Sequence, residues 1–244
     1  MTWPKDFAGM TISISELRKD FGAKRAVDIA TYTVRSGERI GLVGSNGAGK
    51  TTLLRLMLDL IEADTGSVLL GGINVAKDPA WKGYVGSYLD DGFLIDYLTA
   101  DEYFAFVGAL YGMSTAAIRE ALAPYQPFYP DEPFGQTTKY IRELSLGNRK
   151  KIGVIAAMFV RPKLLILDEP FANLDPPSQI RLKQLLRALS DAHGTTQLVS
   201  SHDLGHVTDI CTRITLLEKG LIARDTPTSD ATQQELEQYF TFED

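Results

Sequence analysis

The sequence predicts an α/β fold in which a core sheet of mainly parallel strands carries a small antiparallel β subdomain and an inserted helical subdomain. Apolar runs at 39–43 and 164–167 are typical of parallel strands that are covered on both faces. Alternating apolar and polar residues at 11–14 and 67–70 indicate antiparallel strands with one exposed face. A capped, amphipathic segment that opens at Thr99 predicts the first helix of the insertion.

The length of the chain fits one domain with subdomains, since it has 244 residues, of which 44% are hydrophobic. We assign about residues 1–84 and 162–225 to the core and the β subdomain, and about 85–161 to the helical subdomain. The stretch 226–244 is a polar, acidic tail with one predicted helix near 233–240.

Composition limits the classes of partner. A net charge of −6 disfavours nucleic acid and anionic lipid, because both are bound by basic faces that neutralise phosphates. The apolar run 152–160 is far shorter than the roughly 20 residues that cross a bilayer, and the start of the chain lacks the pattern of a cleavable leader. Cys211 is the single cysteine, so no internal disulfide is expected. Together these features predict a cytoplasmic protein.

The string G-S-N-G-A-G-K-T at 44–51 fits the P-loop pattern G-x-x-x-x-G-K-[S/T]. Its glycines let the backbone curl with several N–H groups pointing inward, and these form an anion site together with the start of the next helix. Lys50 would place a positive charge at the β- and γ-phosphates, and Thr51 would offer a hydroxyl to Mg²⁺. The strand at 39–43 and a helix at 52–58 favour a RecA-like P-loop NTPase core over a chance glycine turn. The residues predicted to contact the nucleotide here are Gly44, Ser45, Asn46, Gly47, Ala48, Gly49, Lys50, Thr51 and Thr52.

The predicted insertion begins with a capping box at 99–102 and a helix that Gly112 ends. The apolar stripe of this helix consists of Tyr103, Phe106, Val107, Leu110 and Tyr111. The segment 124–130 is rich in proline and aromatic residues and cannot form a regular helix. We expect it to be a loop packed by its own rings, in preference to a partner-docking segment.

The string L-S-L-G at 144–147 precedes an apolar helix predicted at about 149–160. The Ser145 hydroxyl and the Gly147 N–H group at a helix start form a second anion site, although most such strings are ordinary helix caps. The basic run 149–151 is either a solvated helix face or a support for phosphate, and we favour the solvated face for two of its three residues.

Asp168 and Glu169 follow directly after the apolar run 164–167, at the carboxyl edge where open α/β sheets bind ligands. Asp168 suits Mg²⁺, with water between them, and Glu169 is placed to polarise or deprotonate an attacking water. The alternative is a solvated acidic pair at a strand end. His202 follows a predicted strand at 195–201, where an imidazole can hydrogen-bond a γ-phosphate.

The string H-D-L-G-H at 202–206 is close to the zinc-protease pattern H-E-x-x-H. We reject zinc, because Gly205 weakens the helix that this pattern needs and His193 is the only other histidine. His206 is then expected to be a surface helix residue.

In this order along the chain, the P-loop, the L-S-L-G string, the L-L-I-L-D-E string and His202 resemble the ATP-binding cassette (ABC) ATPases over about residues 11–225. The string 172–175 is similar to the family's D-loop, which brings Asp175 into the predicted site. Phe21 stands where the family carries an aromatic residue that stacks on adenine. A core phenylalanine in a strand is nearly as good an interpretation of Phe21.

Two places depart from the family pattern. Asp90 stands where the family has glutamine, and its carboxylate can accept from water or from a Mg²⁺ shell, so we predict contact with nucleotide and metal, with Asp91 as the alternative. Leu146 and Asn148 replace the glycine and glutamine of many family members, whereas the phosphate-facing serine and glycine are kept.

The resemblance implies an ATPase that uses ATP and Mg²⁺. One chain would hold Mg·ATP with its P-loop and its strand-end aspartate, while Ser145 and Gly147 of a second copy, or of a related cassette, would clamp the γ-phosphate head to tail. Hydrolysis would depend on Lys50, Glu169 and His202, mostly through positioning and electrostatics.

The resemblance also implies a separate membrane-spanning transporter subunit as partner, received by the helical subdomain and the Asp90 loop. The stretch 103–112 is similar to exporter-type cassettes, so we expect an exporter subunit that lies on the cytoplasmic face of the membrane through its partner. The alternatives are a non-transport ABC ATPase that acts as a switch on DNA or ribosomes, and a P-loop kinase.

Overall fold

The computed structural model describes residues 10–229. Its strands are β1 (Ile12–Phe21), β2 (Lys24–Val34), β3 (Arg39–Val43), β4 (Thr65–Leu70), β5 (Ile73–Asn74), β6 (Val85–Tyr88), β7 (Leu164–Leu167), β8 (Thr196–Ser201), β9 (Arg213–Glu218) and β10 (Leu221–Pro227). Its α-helices are α1 (Lys50–Met57), α2 (Ala100–Leu110), α3 (Thr115–Leu122), α4 (Leu146–Phe159), α5 (Pro176–His193) and α6 (Leu204–Thr208).

Two sheets organise the described chain, as the sequence predicts. The core sheet has the strand order β10-β9-β3-β8-β7-β6, and its neighbours are parallel except for β9 and β10. The second sheet is antiparallel, with the order β2-β1-β4-β5. The predicted α/β fold, with a mainly parallel core and a small antiparallel subdomain, is confirmed.

The register of the core sheet brings the predicted site residues to one edge. Val43 at the end of β3 pairs with Ser201 at the end of β8, and Leu167 at the end of β7 pairs with Val199. These strands are parallel, so the segments that follow them leave the sheet on the same side. The P-loop, the Asp168-Glu169 pair and His202 therefore meet there.

The helical subdomain begins later than predicted. Residues 85–88 form β6, the edge strand of the core sheet paired with β7, so the boundary at residue 85 is wrong by one strand. A four-residue edge strand carries too little apolar periodicity to be separated from the helical segment that follows. The N-terminal start and the predicted tail helix near 233–240 lie outside the described residues.

The buried face of α2 also differs from the predicted stripe. The residues that α2 buries are Ala100, Phe104 and Gly108. Gly108 allows α3 to approach, since a Cβ there would lie 2.5 Å from the Ile118 side chain. Of the predicted stripe, Phe106 and Leu110 are 45% and 70% exposed. The buried face of α2 thus consists of Phe104, which packs on Phe159, and of Gly108, which lets α3 approach.

The helix α4 starts three residues before the predicted position, with Ser145 as its N-cap. The prediction of a solvated basic face is wrong, because Lys150 and Lys151 are each 8% exposed. Their ammonium groups lie over the rings of Tyr88 and Phe128.

The proline-rich segment 124–130 forms no α-helix. Residues 123–128 are a 3₁₀ helix in which the rings of Tyr125 and Phe128 are buried, and Tyr129 next to it is fully buried and stacked on Phe134. These rings belong to the main hydrophobic core, so the segment is packed by that core, and the prediction that its own rings pack it is wrong.

Candidate functional site

The P-loop connects the end of β3 to the start of α1 through a tight turn. Gly44 and Gly49 have φ angles of 155° and 110°. A Cβ on Gly44 would lie 2.3 Å from the Leu217 carbonyl oxygen, and one on Gly49 would lie 2.4 Å from that of Ala26. Both positions therefore require glycine, for backbone conformation and for close approach.

A cavity of about 250 Å³ lies on the P-loop. It is lined by Phe21, Lys24, Ala26, Glu169 and the P-loop side from Ser45 to Thr52, apart from Ala48. Gly44 and Ala48, both predicted to contact nucleotide, are buried behind the loop and do not line it. Phe21 is 53% exposed, so its interpretation as a core residue is wrong. Lys24 was not predicted, because no motif marks it.

Lys50 is buried at the start of α1, with 7% of its surface exposed. Its Nζ donates to the Gly44 carbonyl oxygen at 2.6 Å and lies 3.6 Å from Glu169 Oε1. The ammonium group thus lies between the loop and the carboxylate, at the floor of the cavity.

Thr51 and Asp168 form the predicted metal-binding pair. The Thr51 hydroxyl donates to Asp168 Oδ2 at 2.5 Å, which joins α1 to the end of β7. A hydroxyl and a carboxylate are the hard oxygen ligands that Mg²⁺ prefers, so the donor set fits that ion.

Glu169 has a left-handed backbone with φ 47°, which is uncommon for a residue with a side chain and costs about 1–3 kcal/mol. Its N–H donates to the Ser200 hydroxyl at 2.8 Å. The same Ser200 hydroxyl donates to Asp168 Oδ1, so one side chain of β8 holds both acidic residues. Ser200 was missed because it lies inside an ordinary strand pattern.

His202 lies directly beside the carboxylate of Glu169. Its Nδ1 is 2.8 Å from Glu169 Oε2, and 60% of the side chain is exposed. The imidazole is therefore largely open to solvent. His206 does not share this arrangement, because it lies on α6 and stacks on Phe171 with the ring centroids 4.7 Å apart. The prediction of His206 as a surface residue is wrong, since its side chain is 19% exposed.

Ser145 and Gly147 lie at the start of α4 and do not line the P-loop cavity. The Ser145 hydroxyl accepts from the Asn148 N–H at 3.2 Å, as a helix cap does. A Cβ on Gly147 would lie 2.9 Å from the Asn173 carbonyl oxygen, so this glycine packs on the predicted D-loop. Leu146 between them is 54% exposed.

Asp175 in the predicted D-loop faces the same helix. Its carboxylate lies 3.9 Å from Lys151 Nζ, and a hydrogen bond with Ser178, followed by the charge of Lys151, lowers the pKa of Asp175. The structure therefore joins Asp175 to α4 and not to the P-loop of its own chain.

Asp90 is not brought together with Thr51 and Asp168. Its carboxylate pairs with Arg55 on α1 at 3.4 Å and accepts from the Gly92 N–H at 2.8 Å. Both side chains of the pair are nearly half exposed. The structure therefore does not bear out the prediction of Asp90 as a metal ligand. Its short acidic side chain pairs with the nearby arginine. Asp91 accepts from the Tyr88 hydroxyl instead.

A second cavity, of about 380 Å³, lies between the core sheet and the helical subdomain. Its walls are mostly apolar and include Leu60, Phe93, Tyr103, Val107 and Tyr111. We call it the interdomain groove. Three of these residues belong to the predicted stripe of α2, and they line the groove while also packing against the hydrophobic core.

Comparison with known proteins identifies the family. A family model described as ABC transporter matches residues 27–172. The chain belongs to the ABC transporter family, as an ATP-binding subunit.

Two relatives illustrate the match. The sulfate/thiosulfate import ATP-binding protein CysA of Xanthomonas campestris pv. campestris is 34% identical over 227 residues, which cover 89% of this chain and 64% of that protein. The probable sulfate/thiosulfate import ATP-binding protein CysA of Chlorella vulgaris is 30% identical over 213 residues, covering 87% of this chain and 89% of that one. The chain thus spans less than two thirds of the first relative. These names do not support the expectation of an exporter.

The fold matches a solved ABC cassette. The dimeric structure of MJ0796, a bacterial ABC transporter cassette, superposes with a TM-score of 0.80 and 23% identity, covering 89% of this chain and 99% of that one. At this identity the likeness shows the fold, which is that of an ABC ATPase. Within residues 10–229, no helix combines the length and apolar character needed to cross a bilayer.

Proposed function

We propose that this ABC ATPase binds and hydrolyses Mg·ATP at the P-loop, and that ATP-dependent pairing of two cassettes drives a separate membrane-spanning subunit. The observation that carries the proposal is the convergence of the P-loop, the Asp168-Glu169 pair and His202 at one edge of the core sheet. Glycine-lined backbone, a buried ammonium group and paired carboxylates are the groups that phosphoryl transfer to water requires.

The cavity on the P-loop fits a nucleoside triphosphate. The exposed ring of Phe21 at the end of β1 offers a surface on which adenine can stack. Lys50 and Lys24 supply positive charge on the phosphate side of the same cavity. Thr51 and Asp168 would hold the magnesium ion, which when bound neutralises phosphate charge.

Glu169 acts on the attacking water. Its carboxylate is held at one oxygen by His202 and faces Lys50 with the other, so its direction is set before the substrate arrives. A carboxylate in this position orients the water and accepts its proton. His202, whose side chain is exposed, would donate from its second ring nitrogen to the γ-phosphate and so steady the transferred group.

A second cassette would complete the site. Ser145 and Gly147 present a capped helix start that lies outside the cavity of their own chain. The positive end of a helix attracts a phosphate group, so this surface suits the γ-phosphate held by a second, antiparallel copy or a related cassette. The dimeric state of the similar MJ0796 cassette supports this arrangement.

The interdomain groove is the proposed docking place of the membrane-spanning subunit. Apolar side chains such as Val107 and Phe93 line it, and the Asp90-Arg55 pair lies next to the strand that borders it. Closure of two cassettes would move this groove and so pull on the partner from the cytoplasmic face. We do not extend the proposal to export, because two of the relatives are named import proteins.

The change Glu169→Gln tests the proposal. The variant should hydrolyse ATP roughly 10²–10⁴-fold more slowly, because the amide cannot accept the proton of the water. It should still bind ATP, and it should accumulate as a dimer with Mg·ATP, measured by light scattering. The exposed carboxylate variant Glu62→Gln is the control and should behave as wild type. Turnover near the wild-type rate in Glu169→Gln would show that Glu169 does not have this role.

A further inference from the structure

Lys150 is a buried lysine on α4 that the proposed mechanism does not use. Only 8% of its surface is exposed. Its Nζ donates to the main-chain carbonyl oxygen of Glu169 at 2.9 Å and lies 6.0 Å from the centre of the Tyr88 ring. A lysine is rarely buried without a specific partner, and here the partner is the backbone of the proposed catalytic residue.

Three carboxylates lie around this buried ammonium group. Burial lowers the pKa of Lys150, and the charges of Asp91, Glu169 and Asp168 act in the opposite direction. Asp91 lies in the segment that follows β6, and its carboxylate accepts from the Tyr88 hydroxyl at the end of that strand. The Lys150 ammonium group thus lies where α4, the end of β7 and the end of β6 meet.

The contact from Lys150 explains how Glu169 keeps an unfavourable backbone. Its φ of 47° is uncommon for a residue with a side chain, so neighbouring groups have to hold it. The N–H of Glu169 donates to the Ser200 hydroxyl. Its carbonyl oxygen accepts from Lys150 Nζ at 2.9 Å and from the Ala172 N–H at 3.3 Å. The main chain of Glu169 is therefore fixed from β8, from α4 and from the turn that follows it.

We propose that Lys150 is a positioning residue that sets the direction of the Glu169 carboxylate by holding its main chain. The inference rests on the proposed role of Glu169. It adds a connection between sites, because α4 carries Ser145 at its start and Lys150 about 7.5 Å further along its axis. The helix that would touch the nucleotide of a second cassette thus holds the main chain of the proposed catalytic residue of its own cassette.

The change Lys150→Met tests the inference, because it keeps the length of the side chain and removes its N–H donors. We expect kcat to fall roughly ten- to a hundredfold, the effect of a misdirected catalytic group, with KM and the Kd for ATP within about twofold of wild type. Lys150→Arg keeps a donor at this position and should restore most of kcat. A residue needed only for folding would alter binding and catalysis together and would not show this split. If Lys150→Met does not fold, Lys150→Leu takes its place, since leucine also lacks an N–H donor, and the same split is expected.

Lys183→Met is the matched control. Lys183 also donates from Nζ to a backbone carbonyl oxygen, that of Gly205 at 3.4 Å, and it pairs with Asp209 at 2.6 Å, but it lies on α5. Its loss should leave kcat unchanged. Wild-type turnover in Lys150→Met, or equal loss of ATP binding and turnover, overturns the inference. Glu169→Gln, measured in parallel, separates the two proposals. If Glu169→Gln hydrolyses ATP at the wild-type rate, the proposed role of Glu169 is wrong. If Glu169→Gln is slow and Lys150→Met is not, only the positioning role of Lys150 is wrong.

Discussion

At the scale of single residues, the site depends on how Glu169 is held. Its N–H, its carbonyl oxygen and one carboxylate oxygen each have a partner, from Ser200, Lys150 and His202 respectively. The three partners come from different segments of the chain. Several contacts to different groups of one residue can keep a strained backbone in one conformation.

The first prediction concerns Ser200, whose hydroxyl joins Glu169 to Asp168. In Ser200→Ala both acidic residues lose a partner, so we expect kcat to fall roughly tenfold, equivalent to about 1.4 kcal/mol, with ATP binding retained. Steady-state kinetics and nucleotide titration measure the two quantities.

Thr195→Val is the control for Ser200. Its buried hydroxyl donates to the Pro162 carbonyl oxygen at 2.8 Å, just before the opposite end of β8. It should lower the melting temperature and leave kcat unchanged. An equal loss of kcat in both variants would mean that any buried hydroxyl at β8 matters, and not the bridge between the carboxylates.

The sequence predicts those site residues that lie in short, local strings. The P-loop, Asp168, Glu169 and His202 follow buried strands at fixed offsets, which a pattern can detect. Ser200 and Lys150 act on Glu169 across 31 and 19 residues, so no local pattern marks them. For Lys150 one signal existed: a basic run at the start of an otherwise apolar helix.

At the scale of elements, apolar runs predict strands better than apolar stripes predict helix faces. The runs that become β3 and β7 are buried throughout or nearly so, because both faces of the core sheet are covered. The buried face of α2 depends instead on contacts with other helices, since Phe104 packs on Phe159 and Ile118 packs on Gly108. The size of a side chain on another helix decides that contact, so the sequence of α2 alone does not reveal it.

The second prediction concerns α6, where His206 stacks on Phe171. Burial above all, with the charges of Lys183 and His202, lowers the pKa of His206 below 6.5, against the raising effect of Asp203 and Asp209. The folded state therefore favours the neutral ring. Its contribution to the free energy of unfolding is present above about pH 6.5 and is lost as the pH falls below that value.

His206→Phe keeps a ring on Phe171 and removes the titrating group. Denaturant unfolding measured from about pH 7.5 to 5 should show a smaller loss of stability in this variant than in wild type. Asp203, whose Oδ2 lies 3.5 Å from His206 Nε2, loses this contact in the variant. The other acidic residues contribute equally to both proteins, so the difference reports on His206 and its contact with Asp203. Identical pH dependence in the two would show that the imidazole titrates alike in the folded and unfolded chain.

At the scale of the whole molecule, the two parts of the proposed site lie at separate places on one chain. The P-loop cavity opens at the edge of the core sheet, and the Ser145 cap lies at the start of α4 without lining that cavity. The sequence predicts both halves but not their separation, because distances between strings along the chain say nothing about distances in space. A head-to-tail pair of cassettes is the simplest assembly that lets each half complete the other.

The third prediction tests this assembly by mixing two inactive variants. Lys50→Met removes the charge at the P-loop, and Ser145→Arg blocks the helix cap, so neither should hydrolyse ATP alone. In a mixed dimer one site combines the intact P-loop of one subunit with the intact cap of the other. Random pairing makes half of the dimers mixed, each with one working site, so ATPase activity should recover to about a quarter of wild type.

The double variant with both changes in one chain is the matched control. Mixed with wild type, it forms dimers in which each of the two sites carries one defect, so hydrolysis should come only from the remaining wild-type pairs. If every site were built within a single chain, the two single variants would stay inactive when mixed, and the double variant would leave its wild-type partner fully active. The two assemblies therefore predict opposite results in both mixtures, and a simple phosphate-release measurement distinguishes them.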